Sequence, residues 1–223
     1  MMNKQDLCLA IGASFKAYQQ SGARSTAKLI PLHQFIAESI LSVWGEGYEV
    51  NYMGEGNKEQ KVLGKYYPKD IDITITKAGK TILCVGVKFV MSNYKKNSNN
   101  YFENMMGETA NIQAASIPYA QFIILRHETP LYKVAESQQY TIEVINQKDL
   151  QKYVNLMYDY VQAHRPFATA IVLIDIDEAT TQTTLLDMKT ILGTDFGTLM
   201  HNKLSVENLM EEIANLRRYI ETQ

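Results

Sequence analysis

Cysteine is scarce in this sequence: Cys8 and Cys84 are the two present in 223 residues. They form no Cys-x-x-Cys unit, which excludes a disulfide framework and a cysteine-built zinc site. Histidine is scarce too. His33, His127, His164 and His201 are scattered, and each reads as an ordinary core or surface side chain, so neither a Ser-His-Asp arrangement nor a metal-histidine site has support. Long apolar runs are missing from the start, where MMNKQDLCLAIGASFKAYQQ carries Asp6 early. That stretch reads as neither signal peptide nor membrane anchor, and a cytoplasmic chain with no membrane partner is expected. With no internal repeat, 46% hydrophobic and 21% charged residues, residues 1–223 read as one soluble globular domain.

A large excess of positive charge is also lacking. The net charge is −2, which argues against a protein that coats nucleic acid over its whole surface. The distribution is more informative than the total. From Lys58 to Lys96 there are nine lysines against Glu59, Asp70 and Asp72, a local charge of +6 that leaves −8 for the remainder. A solvated strand-loop region accounts for the lysines alone; a polyanionic substrate accounts for lysines that surround paired carboxylates.

What is present is an alternation of helical and strand periodicities. Leu32, Phe35, Ile36, Ile40, Leu41 and Val43 recur at helical spacing over 31–45, with Pro31 suited to a first turn. A strand follows at 49–53, then a polar connection at 54–64. Strands at 70–76 and 81–90 are joined by Lys77-Ala78-Gly79-Lys80, which suits a hairpin turn. A polar, basic loop at 93–100 leads into a helix at 101–115. Strands are expected at 120–126, 140–145 and 167–177, a helix started by Asn146 at 146–161, and a tail helix at 205–221. The fold class is α/β, a central mixed β-sheet flanked by helices, with a core over roughly 31–125 and a C-terminal α/β elaboration over roughly 126–223.

The stretch KYYPKDIDITITKAGKTILCVGVKF carries the candidate chemistry. Strand alternation sends Ile71, Ile73 and Ile75 one way and Asp70, Asp72 and Thr74 the other, and on the next strand Gly86 and Lys88 share a face. Magnesium takes oxygen ligands, keeps several waters, and is held by one or two carboxylates together with substrate phosphate. A nearby ammonium can orient the attacking water and offset charge developing on the phosphate. A structural hairpin with an Asp72–Lys88 salt bridge is the alternative. A second acid pair, Asp175 and Asp177, resembles the start of haloacid-dehalogenase-type phosphotransferases, but Ala179 stands where a threonine is needed; it reads as a buried strand that ends at the surface.

Pro68-Lys69-Asp70-Ile71-Asp72 with Gly86-Val87-Lys88 resembles the motif of the PD-(D/E)xK nucleases, particularly type II restriction endonucleases. The resemblance covers the core order of roughly the first 125 residues. It implies a restriction-endonuclease-like core, Mg2+ as cofactor, double-stranded DNA as partner, and a homodimeric, sequence-specific hydrolase of phosphodiester bonds. Asp72 would then hold the metal with Asp70 as helper, and Lys88 would position the water. Gly86 departs from the pattern, because the family has an acid there. Some members supply the missing carboxylate from the following helix, where Glu103 and Glu108 are available; Glu103, closer to Lys88 in sequence, is preferred, and Glu38 on the preceding helix is a third source. Tyr94, Lys95, Lys96, Asn97, Asn99 and Asn100 form the candidate DNA-contacting loop. The tail stripe of Val206, Leu209, Ile213, Leu216 and Ile220 is the candidate dimer seam. A decayed nuclease that only binds DNA is the competing expectation.

Overall fold

In the computed structural model, which describes residues 2–22, 25–54, 56–132 and 139–222, the apolar runs near residues 120 and 170 become adjacent parallel strands. Such strands are buried on both faces, so their sequences lack alternation. In chain order the elements are α1 (Lys4–Ser21), α2 (Ile30–Trp44), β1 (Glu49–Tyr52), β2 (Gln60–Leu63), β3 (Pro68–Ile71), β4 (Ile73–Lys77) and β5 (Lys80–Val90). They continue with α3 (Tyr94–Gln113), β6 (Tyr119–Arg126), β7 (Glu128–Tyr132), β8 (Gln139–Val144), α4 (Gln147–Tyr158) and β9 (Ala168–Ile176). β10 (Thr183–Leu185), α5 (Met188–Leu192), α6 (Thr194–Leu204) and α7 (Val206–Glu221) follow.

The protein is α/β, with a mixed six-stranded sheet in the order β1-β4-β5-β6-β9-β10. β1, β4 and β5 are antiparallel, β5, β6 and β9 are parallel, and β10 returns antiparallel at the far edge. This arrangement of central sheet and flanking helices is compatible with a restriction-endonuclease-like core. Alternate residues of β6 serve two cores. Phe122 and Ile124 join α1, α2 and α7 through Ile11, Ile36, Trp44 and Ile213. Ile123 and Leu125 join the cluster that contains Met105, Leu150, Tyr153 and Met200 from α3, α4 and α6. Each fully buried aromatic or branched side chain here contributes about 1.5–3 kcal/mol of transfer free energy, so the sheet is a fixed platform for what stands at its edge.

Local chemistry explains several boundaries. Ala78 and Gly79 both have positive φ, 49° and 75°, the backbone of a two-residue hairpin turn whose twist matches its strands. Asn146 caps α4 in a reciprocal box with Asp149. Asn3 caps α1, a helix outside the expected elements whose signal is Leu7, Ile11 and Phe15 at intervals of four.

Three expectations need correction. The segment 93–100 is not a loop: the first two turns of α3 start at Tyr94, where the Glu143 carboxylate of β8 accepts the Tyr94 and Lys95 N–H groups at 2.8 and 2.9 Å. A helix N-terminus leaves such donors unsatisfied, and here the partner lies 49 residues downstream, beyond any local pattern. The polar connection at 54–64 holds β2, which pairs with β3 in a separate hairpin. The α7 stripe faces inward, with Leu209, Met210 and Ile213 buried in the core and Arg217 donating to the Val43 carbonyl at 2.6 Å. That seam is therefore occupied within the chain and is no argument for a dimer.

Candidate metal centre

The centre begins where a strand breaks. The expected single strand at 70–76 is two strands: β4 pairs with β5, with Ile73 opposite Val85, while β3 turns away at Asp72 to pair with β2. An uninterrupted ladder would set Ile71 opposite Val87. Instead the Val87 N–H donates to Asp72 Oδ2 at 2.7 Å, so the side chain satisfies a ladder donor that the departing backbone leaves behind. Asp72 is thereby locked at the mouth of the sheet with Oδ1 unpartnered among the described residues.

Asp72 lines a cleft of about 540 Å³ together with Glu59, Lys69, Gly86, Lys88, Glu108 and Tyr119. Burial, then the Glu59 and Glu108 carboxylates, push its pKa up to about 6, against the opposing Val87 hydrogen bond and Lys69. Glu59 is raised as well, by burial and then by Asp70. Lys69 opposes the rise at both acids without cancelling it. Glu108 is held from two sides. Lys69 Nζ lies 2.7 Å from its Oε1, and the buried Tyr119 hydroxyl donates to Oε2 at 3.3 Å. The Glu108 hydrogen bond offsets the burial that opposes a charged Lys69, and the lysine pKa is raised.

Tyr119 also explains Gly86. A Cβ at Gly86 would stand 2.5 Å from the Tyr119 hydroxyl and 3.0 Å from the Gln121 amide. The volume of a strand acid is thus filled from β6, and the same tyrosine hydroxyl positions a helix carboxylate, Glu108.

The remaining expected residues divide. Lys88 is on the cleft face of β5, makes no salt bridge to Asp72, and holds its Nζ 4.7 Å from the Tyr101 ring centroid. Asp70 does not share a strand face with Asp72; it is exposed and paired with Lys61 at 3.2 Å, a contact worth about 0.2–1 kcal/mol. Thr74, expected on that face too, is buried and donates to Gln60 at 2.7 Å.

Glu103 is exposed and is not brought to the cleft; its charge acts on Lys152 instead. Tyr101, Asn104, Met105 and Glu108 form the helix stripe that lines the cleft, and residue 103 lies about 100° away from 104 on a 3.6-residue period. Glu38 is exposed and accepts from Gln34.

Tyr94 is buried, donating to the Asp149 carbonyl at 3.2 Å, which removes it as a surface donor. Lys95 pairs with Asp149, Asn97 donates to the Asn93 carbonyl, and Asn99 accepts from Lys152. Lys96 and Asn100 remain exposed.

Two residues of the centre were missed in the sequence. Glu59 comes from the segment between β1 and β2. His33 comes from α2, where it is 0% exposed, and neither ring nitrogen has a hydrogen-bond partner among the described residues. One ligand atom each from His33, Glu59 and Asp72 lie within 4.8 Å of one another. A buried polar residue on a helix's apolar face, between Leu32 and Ile36, was the available signal. These donors suit a divalent cation: oxygen and imidazole ligands, carboxylates in mutual repulsion, and an open side toward the cleft.

No family model matches the chain, and no curated protein or solved structure is significantly similar to it. Among the described residues no helix is long and apolar enough to cross a membrane.

Proposed function

We propose that this protein is a divalent-cation-dependent endonuclease of the PD-(D/E)xK kind, hydrolysing phosphodiester bonds of double-stranded DNA as a type II restriction enzyme does in the cytoplasm. The observation that carries the reading is the convergence of Asp72, Glu59, Glu108 and Lys88 on one cleft at the break between β3 and β4. Asp72 and Glu59 would hold the cation, Mg2+ being the abundant candidate, with Glu108 as the carboxylate that takes the place of a strand acid at 86. A bound cation would supply Lewis acidity at the phosphate and a water of lowered pKa.

The chain's own residues supply the rest. The Val87 N–H fixes the Asp72 carboxylate, and Lys69 and Tyr119 fix Glu108. The Lys88 ammonium stands on the open side of the cleft, where it orients the attacking water and offsets charge that develops on the phosphate. The β2-β3 hairpin presents Leu63, Tyr66 and Tyr67 at 74%, 78% and 46% exposure beside Lys61 and Lys65. Basic and aromatic groups so interleaved suit a phosphate backbone and unstacked bases, and with Lys96 and Asn100 they replace the expected loop as the DNA-facing set. Cutting both strands of a two-fold site calls for a homodimer, through a surface other than α7.

Gly86 also admits a protein that binds DNA without cutting it. Supercoiled plasmid separates the two readings. Nicking or linearisation is expected with Mg2+ or Mn2+ and not with EDTA, and Lys88→Ala should lose it while retaining DNA in Ca2+, because one ammonium at the phosphate contributes more to the transition state than to binding. Unimpaired turnover by Lys88→Ala would remove Lys88 from the mechanism; DNA retention without any cleavage would support the binding protein.

A further inference from the structure

Burying an imidazole without a hydrogen bond costs free energy that a leucine at the same place would not, and His33 is fully buried with both nitrogens unpartnered among the described residues. One of its nitrogens lies with oxygens of Glu59 and Asp72 inside a 4.8 Å span. Three ligands spread evenly at about 2.2 Å from one ion are at most roughly 3.8 Å apart, so the three groups close on a cation with shifts of about half an ångström each. The acids of the cleft bring negative charge, and His33 brings the one donor that is not oxygen.

We infer that His33, Glu59 and Asp72 form a mixed nitrogen-oxygen centre that takes Mn2+ in preference to Mg2+ and Ca2+. Imidazole adds little to the binding of hard alkaline-earth ions, whereas first-row transition ions bind it well and rise in affinity from manganese onward. The centre deepens the metal-dependent reading of the cleft, but it does not need DNA to be the substrate, and its test is made on protein alone.

The experiment is Mn2+ titration of the metal-free full-length protein, followed by the free-Mn2+ electron paramagnetic resonance signal, with Mg2+ as competitor. The wild type should bind one Mn2+ per chain and prefer it over Mg2+ by at least about tenfold. His33→Leu should weaken Mn2+ by at least about tenfold while changing Mg2+ by less than about threefold. The metal-free variant should melt no lower than the wild type, because a buried unpartnered ring has been replaced by an apolar side chain.

His33→Gln, which keeps the polarity but not the imidazole, should lose the same Mn2+ preference. Wild-type protein that binds no Mn2+, a His33→Leu protein that binds it unchanged, or an equal loss of both ions would each overturn the inference. A His33→Leu protein that unfolds would make His33→Gln the deciding variant, with retained preference counting against it. If Mn2+ binding depends on His33 and plasmid is still not cut, the centre stands and the nuclease reading falls.

Discussion

The tripeptide Asp-Ile-Asp occurs twice, at 70–72 and at 175–177, and the two copies meet opposite fates. At the first, the chain bends between β3 and β4, and Asp72 sits among Glu59 and Glu108 with its pKa pushed up to about 6. At the second, β9 runs straight to the surface. Asp177 is exposed and accepts the Ala179 and Thr180 N–H groups at 2.8 and 2.9 Å in a turn, which lowers its pKa. One copy ends in an exposed carboxylate that anchors a turn; the other holds a carboxylate drawn into a cleft with like charge around it. Acid spacing alone does not mark a site, and what separates the copies is burial beside other acids.

The largest expected effect breaks the comparison at the level of activity. Asp72→Asn should lower metal-dependent plasmid cleavage by at least about a hundredfold, the scale of losing one group that stabilises developing charge, whereas Asp177→Asn should leave the rate within about twofold. Equal effects in initial-rate assays would mean that the two copies do not differ as their environments suggest.

Next in size is the choice of helix acid. Glu108→Gln should reduce cleavage by about 10–100-fold, the range seen when groups that support a metal site are removed, and Glu103→Gln should be indistinguishable from wild type. The reverse order, measured under the same conditions, would return the role to Glu103 and require α3 to turn by a quarter of its circumference.

Much of the architecture could be read in advance because its causes are local. The Ala78-Gly79 turn, the Asn146 cap and the paired apolar faces of the strands all depend on residues within a few positions of one another. The centre was only half legible for the opposite reason. Asp72 and Lys88 lie on neighbouring strands and announce themselves, whereas His33, Glu59 and Glu108 reach Asp72 from α2, the β1-β2 connection and α3. Their assembly depends on the sheet register and on the β3 break, which no periodicity encodes. Distance along the chain favours Glu103 over Glu108, whereas helix phase turns Glu108 toward the cleft. The start of α3 was hidden because its cap, Glu143, lies on another hairpin.

The smallest expected effect concerns stability. Below about pH 3.8 Asp72 is protonated whether the chain is folded or not; between there and about pH 6 the unfolded chain releases the proton first. The metal-free protein should therefore lose stability as pH rises through that window, by on the order of 3 kcal/mol from this group. Asp72→Asn removes that loss, so in EDTA its urea midpoint should exceed the wild type's at pH 8 and match it near pH 4. Asp177→Asn should do the opposite, a small decrease at pH 8, because the charged acceptor of its turn is weakened. A saturating divalent cation should abolish the advantage of Asp72→Asn by stabilising the wild type alone.

The central claim is that the break at Asp72 builds a cation centre which the straight strand at Asp177 does not. Anomalous diffraction from crystals grown with Mn2+ tests it most directly. One strong manganese peak is expected within ligand distance of Asp72, Glu59 and His33, and none at Asp175 or Asp177; an empty cleft, or manganese at the Asp177 turn instead, would refute the centre.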